Sequence, residues 1–158
     1  VTPRVAREVD AAGVATIWNN YIRETAATFN SVEKTGQEVA AAIAANPCFL
    51  VAGAEGRVAG FATCFQFRGG VGYRHTMEHT VLVAPGVTGR GLGRAMMTAL
   101  EACARGSAAH SLLAGVSGEN PAGIAFHRAL GYTEVARLPE VGYKFERWMD
   151  LVLMQKRL

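Results

Sequence analysis

The chain has little that would tie it to a metal, a membrane or a nucleic acid. It holds three cysteines in 158 residues, Cys48, Cys64 and Cys103, an odd number, widely spaced and each set among apolar neighbours. Neither a C-x-x-C pair nor a disulfide framework follows from that spacing, so they read as reduced core residues. Histidines number four. His75 and His79 lie four apart, but in a segment that reads as strand, where that spacing does not make the helical zinc pair of H-E-x-x-H. No metal is expected.

Charge is also scarce. Only 18% of residues are charged and the formal net charge is +3. The arginines are dispersed, with no basic run and no interleaved aromatics, which argues against nucleic acid and leaves a polyanionic small ligand compatible. The longest apolar window, around residues 39–54, is interrupted by Asn46-Pro47, and the opening VTPRVAREVD lacks a charged stretch followed by an apolar one. The expectation is a cytoplasmic protein, neither exported nor membrane-spanning.

What is present is a hydrophobic fraction of 50%, ordinary for a globular chain, and a length that suits one domain, 1–158, with its own core. Residues 3–8 alternate as a first strand, and Asp10 reads as the N-cap of a helix running to about Glu24. A second helix is expected from Thr35 to Ala45. The connector between them, AATFNSVEK, carries Phe29 at its centre, a candidate substrate-wall residue as well as a core one. CFLVAGA at 48–54 and RVAGFATCFQFR at 57–68 flank Glu55-Gly56 as an antiparallel hairpin. A further strand follows from about Tyr73 to Val83. After a helix at 91–105 come a short strand HSLLAGV, a helix opening at Glu119-Asn120-Pro121, and two last strands, 132–137 and 147–156, separated by the loop LPEVGYKFE. The order is β-α-α-β-β-β-α-β-α-β-β, an α/β (α+β) mixed sheet of about seven strands flanked by about four helices.

Within that order one stretch stands out, EHTVLVAPGVTGRGLGRAMMTALEACAR at 78–105. A strand ends near Val83, Pro85 and Gly86 break the extended pattern, and Gly89, Gly91 and Gly93 lead into a helix whose apolar positions are Leu92, Met96, Leu100 and Cys103. Alternate glycines before a helix leave N–H groups open to a phosphate at the helix's positive end. A nucleotide P-loop needs lysine and a hydroxyl residue after the last glycine, but Arg94 and Ala95 follow Gly93. The dinucleotide fingerprint fails because Met96 occupies the place of a small residue and no early βαβ unit precedes it. A pyrophosphate held by spaced amides with arginines nearby remains.

On these residues the chain resembles the GNAT family of N-acetyltransferases, whose Gln/Arg-x-x-Gly-x-Gly/Ala pattern wraps the pyrophosphate of acetyl-CoA. Here the pattern reads Thr88, Gly89, Arg90, Gly91, Leu92, Gly93, with threonine in place of the usual first residue. A narrower resemblance, to the phosphinothricin and methionine sulfone/sulfoximine N-acetyltransferases, rests on IWNNYIRETAATFN at 17–30, YRHTMEHTVLV at 73–83, GENPAGIAFHRALGY at 118–132 and EVGYKFERWMDLVLMQ at 140–155. It implies acetyl transfer to the α-amine of a small amino-acid analogue. Glu78 then matches the general base. Arg68, Glu78, His79 and Thr80 match the substrate positions, Val81, Leu82, Val83, Gly89, Arg90, Gly91, Leu92, Gly93 and Arg94 the acetyl-CoA wall, and Asn120 and His127 the helix that meets pantetheine and thiol. Relatives of this kind are commonly homodimers. Gly69-Gly70 replaces a frequent proline and aromatic, and Leu82 a frequent tyrosine.

The chemistry asks for an ammonium to lose a proton before it attacks a thioester, so Glu78 needs a raised pKa. Burial would raise it. In an unbulged strand Arg74 shares its face and would lower it, and an ion pair with an arginine is the structural alternative. Backbone N–H groups at the strand end, Leu82 or Val83, are candidate donors to the oxyanion. His127 could protonate the thiolate or merely hold the helix. For the substrate carboxylate Arg68 offers a bidentate fork, with Arg74 second. Acetylation of a protein N-terminus or another amine, and a non-catalytic acyl-CoA sensor, are the alternatives.

Overall fold

A computed structural model describes residues 2–158. The elements are β1 (Arg4–Val5), α1 (Ala11–Glu24), α2 (Gly36–Ala45), β2 (Phe49–Ala54), β3 (Arg57–Gln66), β4 (Thr76–Val83), α3 (Leu92–Gly106), β5 (Ser111–Ser117), α4 (Pro121–Ala129), β6 (Thr133–Lys144) and β7 (Arg147–Arg157), in the order expected. The strands form one sheet, β1-β2-β3-β4-β5-β7-β6. Its single parallel pairing is β4 with β5, because α3 carries the chain across between them.

Each face of the sheet has its own core. On one, Leu50, Ala62, Cys64, Leu112, Ala114, Val152 and Met154 pack under Met96, Met97 and Leu100 of α3, with Phe126 of α4 beside them. On the other, Phe49, Val51 and Phe61 pack under Val14 and Ile17 of α1 and Val39 and Ile43 of α2. Alternation along each strand sends successive side chains to opposite layers, so β4 presents Met77 and Val81 to the α3 layer and Leu82 to the α1 layer. Local signals set the helix starts. The Thr35 hydroxyl accepts the Glu38 N–H while the Glu38 carboxylate accepts the Thr35 N–H. Asn120 caps α4 by accepting the Gly123 N–H, and Pro121 follows at its first turn.

Several expectations are corrected. The first strand is two residues long, and Asp10 sits at the head of α1 without capping it: its buried carboxylate takes the Arg4 guanidinium, at 2.9 Å, and the N–H of Arg7 and Gly56. The stretch expected as a loop from Leu138 is strand, and β6 runs on to Lys144 before a two-residue turn, Phe145-Glu146. Both turn residues have positive φ, 53° and 60°, the pair of left-handed conformations that matches the twist of a tight hairpin. Cys48 and Cys103, expected reduced, form a disulfide with Cα atoms 5.8 Å apart. They are 55 residues apart in sequence, and only the packing of α3 over the start of β2 makes them neighbours. Cys64 remains a buried free thiol, its pKa pushed up to about 11 by burial.

Candidate active site

The site begins where two strands part. β4 and β5 pair only from Thr76 with Ser111 to His79 with Ala114. Beyond that, β4 stays with β3 up to Val83, and β5 stays with β7 up to Ser117. The wedge between Thr80–Val83 and Gly115–Ser117 opens into a cleft of about 630 Å³ lined by both strands, the connector residues 27–30 and the start of α4.

The ladder decides which amides point into the wedge. Thr76 accepts from Phe67 N–H and Ala84 donates to Ala59 O, so even-numbered residues of β4 turn their backbone groups toward β3. In an antiparallel ladder the direction alternates, and Val81 and Val83 therefore turn theirs away from β3. The Val83 carbonyl accordingly accepts the Tyr21 hydroxyl at 2.7 Å. The amides free to meet an oxyanion, expected at Leu82 or Val83, are those of Val81 and Val83, since Leu82 lies opposite Phe61 with its N–H toward that strand.

Glu78 faces the cleft. Its Oε2 lies over Gly115 so closely that a Cβ there would be 2.9 Å away, and among the described residues it makes no ion pair or hydrogen bond. Burial alone pushes its pKa up. The ion pair with an arginine does not form. Arg74 lies ahead of β4, which starts at Thr76 rather than Tyr73, and its Nε donates to His75.

His79 and His127 meet Nε2 to Nε2 at 2.9 Å between β4 and α4. The second nitrogen of His127, Nδ1, is 2.8 Å from the Gly123 carbonyl. A carbonyl only accepts, so Nδ1 of neutral His127 carries the proton, its Nε2 accepts, and His79 donates through Nε2. His79 Nδ1 is then bare, and it is buried without a hydrogen-bond partner. Burial, then the proximity of His127, depress His79 to about 3, and burial likewise lowers His127. Burial favours the neutral form of both rings, and neutral His127 has no N–H to spare, since its Nδ1–H is spent on Gly123 and its Nε2 is an acceptor.

The glycine turn continues β4 into α3. Gly89 and Gly91 both have φ near +78°, and Gly91 is the residue at which α3 begins, so the first amides of α3 stand exposed after a left-handed turn. Gly93 has a separate reason to be small: a Cβ there would be 3.1 Å from the Phe126 ring of α4. Arg90 and Arg94 are exposed beside the turn.

Of the expected site residues, the fold gathers Phe29, Glu78, His79, Thr80, Val81, Leu82, Asn120 and His127 around the cleft. Val83 and the Gly89–Arg94 turn, which continue β4 toward α3, do not line it. Arg68 and Arg74 do not line it; the Arg68 guanidinium lies 5.5 Å from the Tyr73 ring centre. Trp18, Lys34, Phe65, Gly115 and Leu151 do line it and were not singled out by sequence. The Lys34 ammonium rests 4.4 Å over the Trp18 ring. Trp18 and Leu151 lie within the stretches that carry the family resemblance and Lys34, Phe65 and Gly115 outside them, and no local pattern separates any of the five from ordinary core or surface positions. No cluster of metal-ligating residues occurs among the described residues.

Comparison with known proteins agrees with this geometry. The chain is 38% identical to the L-amino acid N-acyltransferase MnaT of Escherichia coli, over 98% of this chain and 92% of that one. It is 36% identical to the L-methionine sulfoximine/L-methionine sulfone acetyltransferase of Salmonella typhimurium (100% and 95% covered) and 35% to the phosphinothricin N-acetyltransferase of Alcaligenes faecalis (99% and 82%). Among solved structures, yncA of Salmonella typhimurium with its cofactor acetyl-CoA superposes with a TM-score of 0.94 at 37% identity, covering 99% of this chain and 93% of that one. A ribosomal-protein-alanine N-acetyltransferase from Brucella melitensis gives 0.94 at 36%, with 100% of both covered. Residues 14–132 match the Acetyltransferase (GNAT) family as a whole, and with the splayed β4–β5 wedge and the glycine turn at the head of α3 the chain belongs to that family.

Proposed function

We propose that the protein moves the acetyl group of acetyl-CoA to the α-amine of a small amino-acid analogue of the phosphinothricin, methionine sulfoximine or methionine sulfone type, by direct attack in a ternary complex. The observation that carries this reading is Glu78: a carboxylate with a raised pKa and, among the described residues, no ion-pair partner, facing a wedge into which the same strand turns the amides of Val81 and Val83. The named activities of the relatives at 35–38% identity supply the acceptor class.

The residues then divide the work. The amides after Gly89 and Gly91, with Arg90 and Arg94, hold the pyrophosphate at the positive end of α3. Val81 and Val83 hold the thioester carbonyl and take the charge that develops on its oxygen. Glu78 removes the proton that the ammonium loses, and its raised pKa makes it a better base than an exposed carboxylate. Asn120 keeps the α4 end of the cleft in place through Gly123. His127 passes a proton from solvent to the departing sulfur through Nε2 once that nitrogen is free of His79, while Thr80 and Phe29 line the acceptor's path. Arg68, with Arg74 behind it, is assigned to the acceptor carboxylate from the rim, and Lys34 is a cation already within the cleft.

A homodimer is part of the proposal. Val141, Tyr143 and Trp148 on the β6–β7 arm are each more than half exposed, an apolar surface suited to a second copy. No helix among the described residues is long and apolar enough to cross a membrane. The cytoplasmic location carries over from the sequence, although a bond such as Cys48–Cys103 is uncommon there.

Thiol release from acetyl-CoA by the purified protein tests the reading, with methionine sulfone, methionine sulfoximine, phosphinothricin, ordinary amino acids and a peptide with an N-terminal alanine as acceptors. Turnover concentrated in the first three is expected. Turnover of the peptide alone would move the acceptor to a protein N-terminus, as in the Brucella relative's name. Acetyl-CoA binding without turnover would leave a sensor.

A further inference from the structure

The far wall of the cleft is a connector, residues 27–30, without regular secondary structure of its own. It is held from behind by the β6–β7 hairpin, which itself contributes only Leu151 to the cleft. Lys144, at the end of β6, is 4% exposed and its Nζ donates to the carbonyls of Thr25 at 2.7 Å and Thr28 at 2.8 Å, 119 and 116 residues away in sequence. Among the described residues no carboxylate pairs with it, and burial lowers its pKa. A buried cation without a counter-ion is costly, and here two carbonyls meet it at the negative end of α1. Two residues earlier, Gly142 lies under the Phe29 ring. A Cβ on Gly142 would collide with the Phe29 ring carbons, so the ring can lie there only because position 142 is bare.

Thr28 and Phe29 are therefore placed by two contacts from one strand, a pair of charged hydrogen bonds and a missing side chain. We propose that Lys144 and Gly142 are positioning residues that set the fit of the amino-acid acceptor by locating the Phe29 wall opposite Glu78. They touch neither substrate. The inference rests on the acetyltransferase reading, and it adds the part of the chain that tunes the acceptor: a hairpin on the other side of the wall from the chemistry. Among the described residues no hydrogen bond or ion pair joins the side chain of either residue to the donor half, built on β4 and the glycine turn.

The test uses the full chain and steady-state kinetics with methionine sulfone and acetyl-CoA, for K144M, G142A, F29A and F29A/G142A, with thermal unfolding of each. K144M and G142A are expected to raise the acceptor KM roughly 10- to 100-fold, the scale of a misplaced substrate, and to leave the acetyl-CoA KM within about twofold. Removing the ring removes the reason for the bare position, so G142A should have little further effect in the F29A background, a coupling that a general loss of stability would not produce. A parallel rise in both KM values, additive effects of F29A and G142A, or a lower unfolding temperature for K144M with unchanged acceptor KM would overturn the proposal. Failure of the wild-type chain to acetylate any amino acid is a separate result, and it would overturn the underlying reading instead.

Discussion

In the proposed reading the donor is met by backbone from one continuous run, β4 through the start of α3, which extends past the cleft lining, whereas the acceptor is met by side chains from separate segments: Phe29, Phe65, Glu78 and Leu151. The first needs only strand alternation, left-handed glycines and a helix start. The second needs β5 to pass under Glu78 with nothing on Gly115, and β6 to pass under Phe29 with nothing on Gly142. A wall of amides can serve one ligand in one way. A wall of side chains on a connector can be retuned residue by residue, so the comparison predicts that substitutions separate cleanly into donor and acceptor effects.

The largest effect is expected at the residue that joins the two walls. Glu78→Gln should lower kcat roughly 10²- to 10⁴-fold, the usual contribution of a positioned base, with acetyl-CoA affinity kept. The wild-type kcat/KM should fall on the acid side around a pKa above the ordinary glutamate value of about 4.3, because burial opposes the charge. The same shift has a sign for stability. A carboxyl whose folded pKa is raised favours the folded state below its unfolded pKa, and that advantage is lost as pH rises through the folded value. At neutral pH the charged form is the disfavoured one, so the glutamine variant should unfold at a higher temperature while being inactive. A lower unfolding temperature at pH 7 would mean that Glu78 has a partner in solution.

Gly115→Ala comes next. Its methyl would stand 2.9 Å from Glu78 Oε2 and must displace the carboxylate. We expect kcat to drop roughly 10- to 100-fold while calorimetry shows unchanged acetyl-CoA binding; equal losses on both sides would erase the distinction between the walls. Gly91→Ala sharpens it from the other side. Nothing lies within 4 Å of a Cβ there, so its cost is only the left-handed backbone, φ +78°, about 1–2 kcal/mol. Acetyl-CoA affinity should weaken by roughly a factor of ten, and the ranking of acceptors should not change. The smallest effect on activity is expected from C48S/C103S. Reductant should lower the unfolding temperature of the wild type and not that of the double variant, with kcat within about twofold, because the bond joins β2 to α3 away from the cleft.

The legible and the illegible parts of the site follow the same division. The glycine turn could be read because its requirements are local: Gly89 and Gly91 carry positive φ, and Leu92 opens an amphipathic helix. Asn120-Pro121 announced α4 for the same reason. The role of Arg74 could not be read, since it depended on where β4 starts, and the short helical turn Val71–Tyr73 took those residues out of the strand. His79 illustrates a mixed case. Its place in the strand was clear, yet its partner is His127, 48 residues on, and the tautomers of both are decided by the carbonyl of Gly123. The stretch from Leu138 to Lys144, which contains Pro139 and Gly142, reads as a loop, but it pairs with β7 on both sides of a bulge in which Glu140 takes a left-handed φ of 53°.

By itself the sequence determined the order of elements, the alternation that sorts each strand between two cores, and the turn that opens α3, because hydrophobic period, capping residues and glycine conformations act over a few neighbours. Only the tertiary structure decided that β4 and β5 part after His79 and Ala114, that Glu78 is half-buried without an ion pair among the described residues, that Cys48 meets Cys103, and that Lys144 holds the wall across more than a hundred residues of chain. Those are long-range contacts, set by which surfaces the sheet and helices bury together, and no local pattern encodes them.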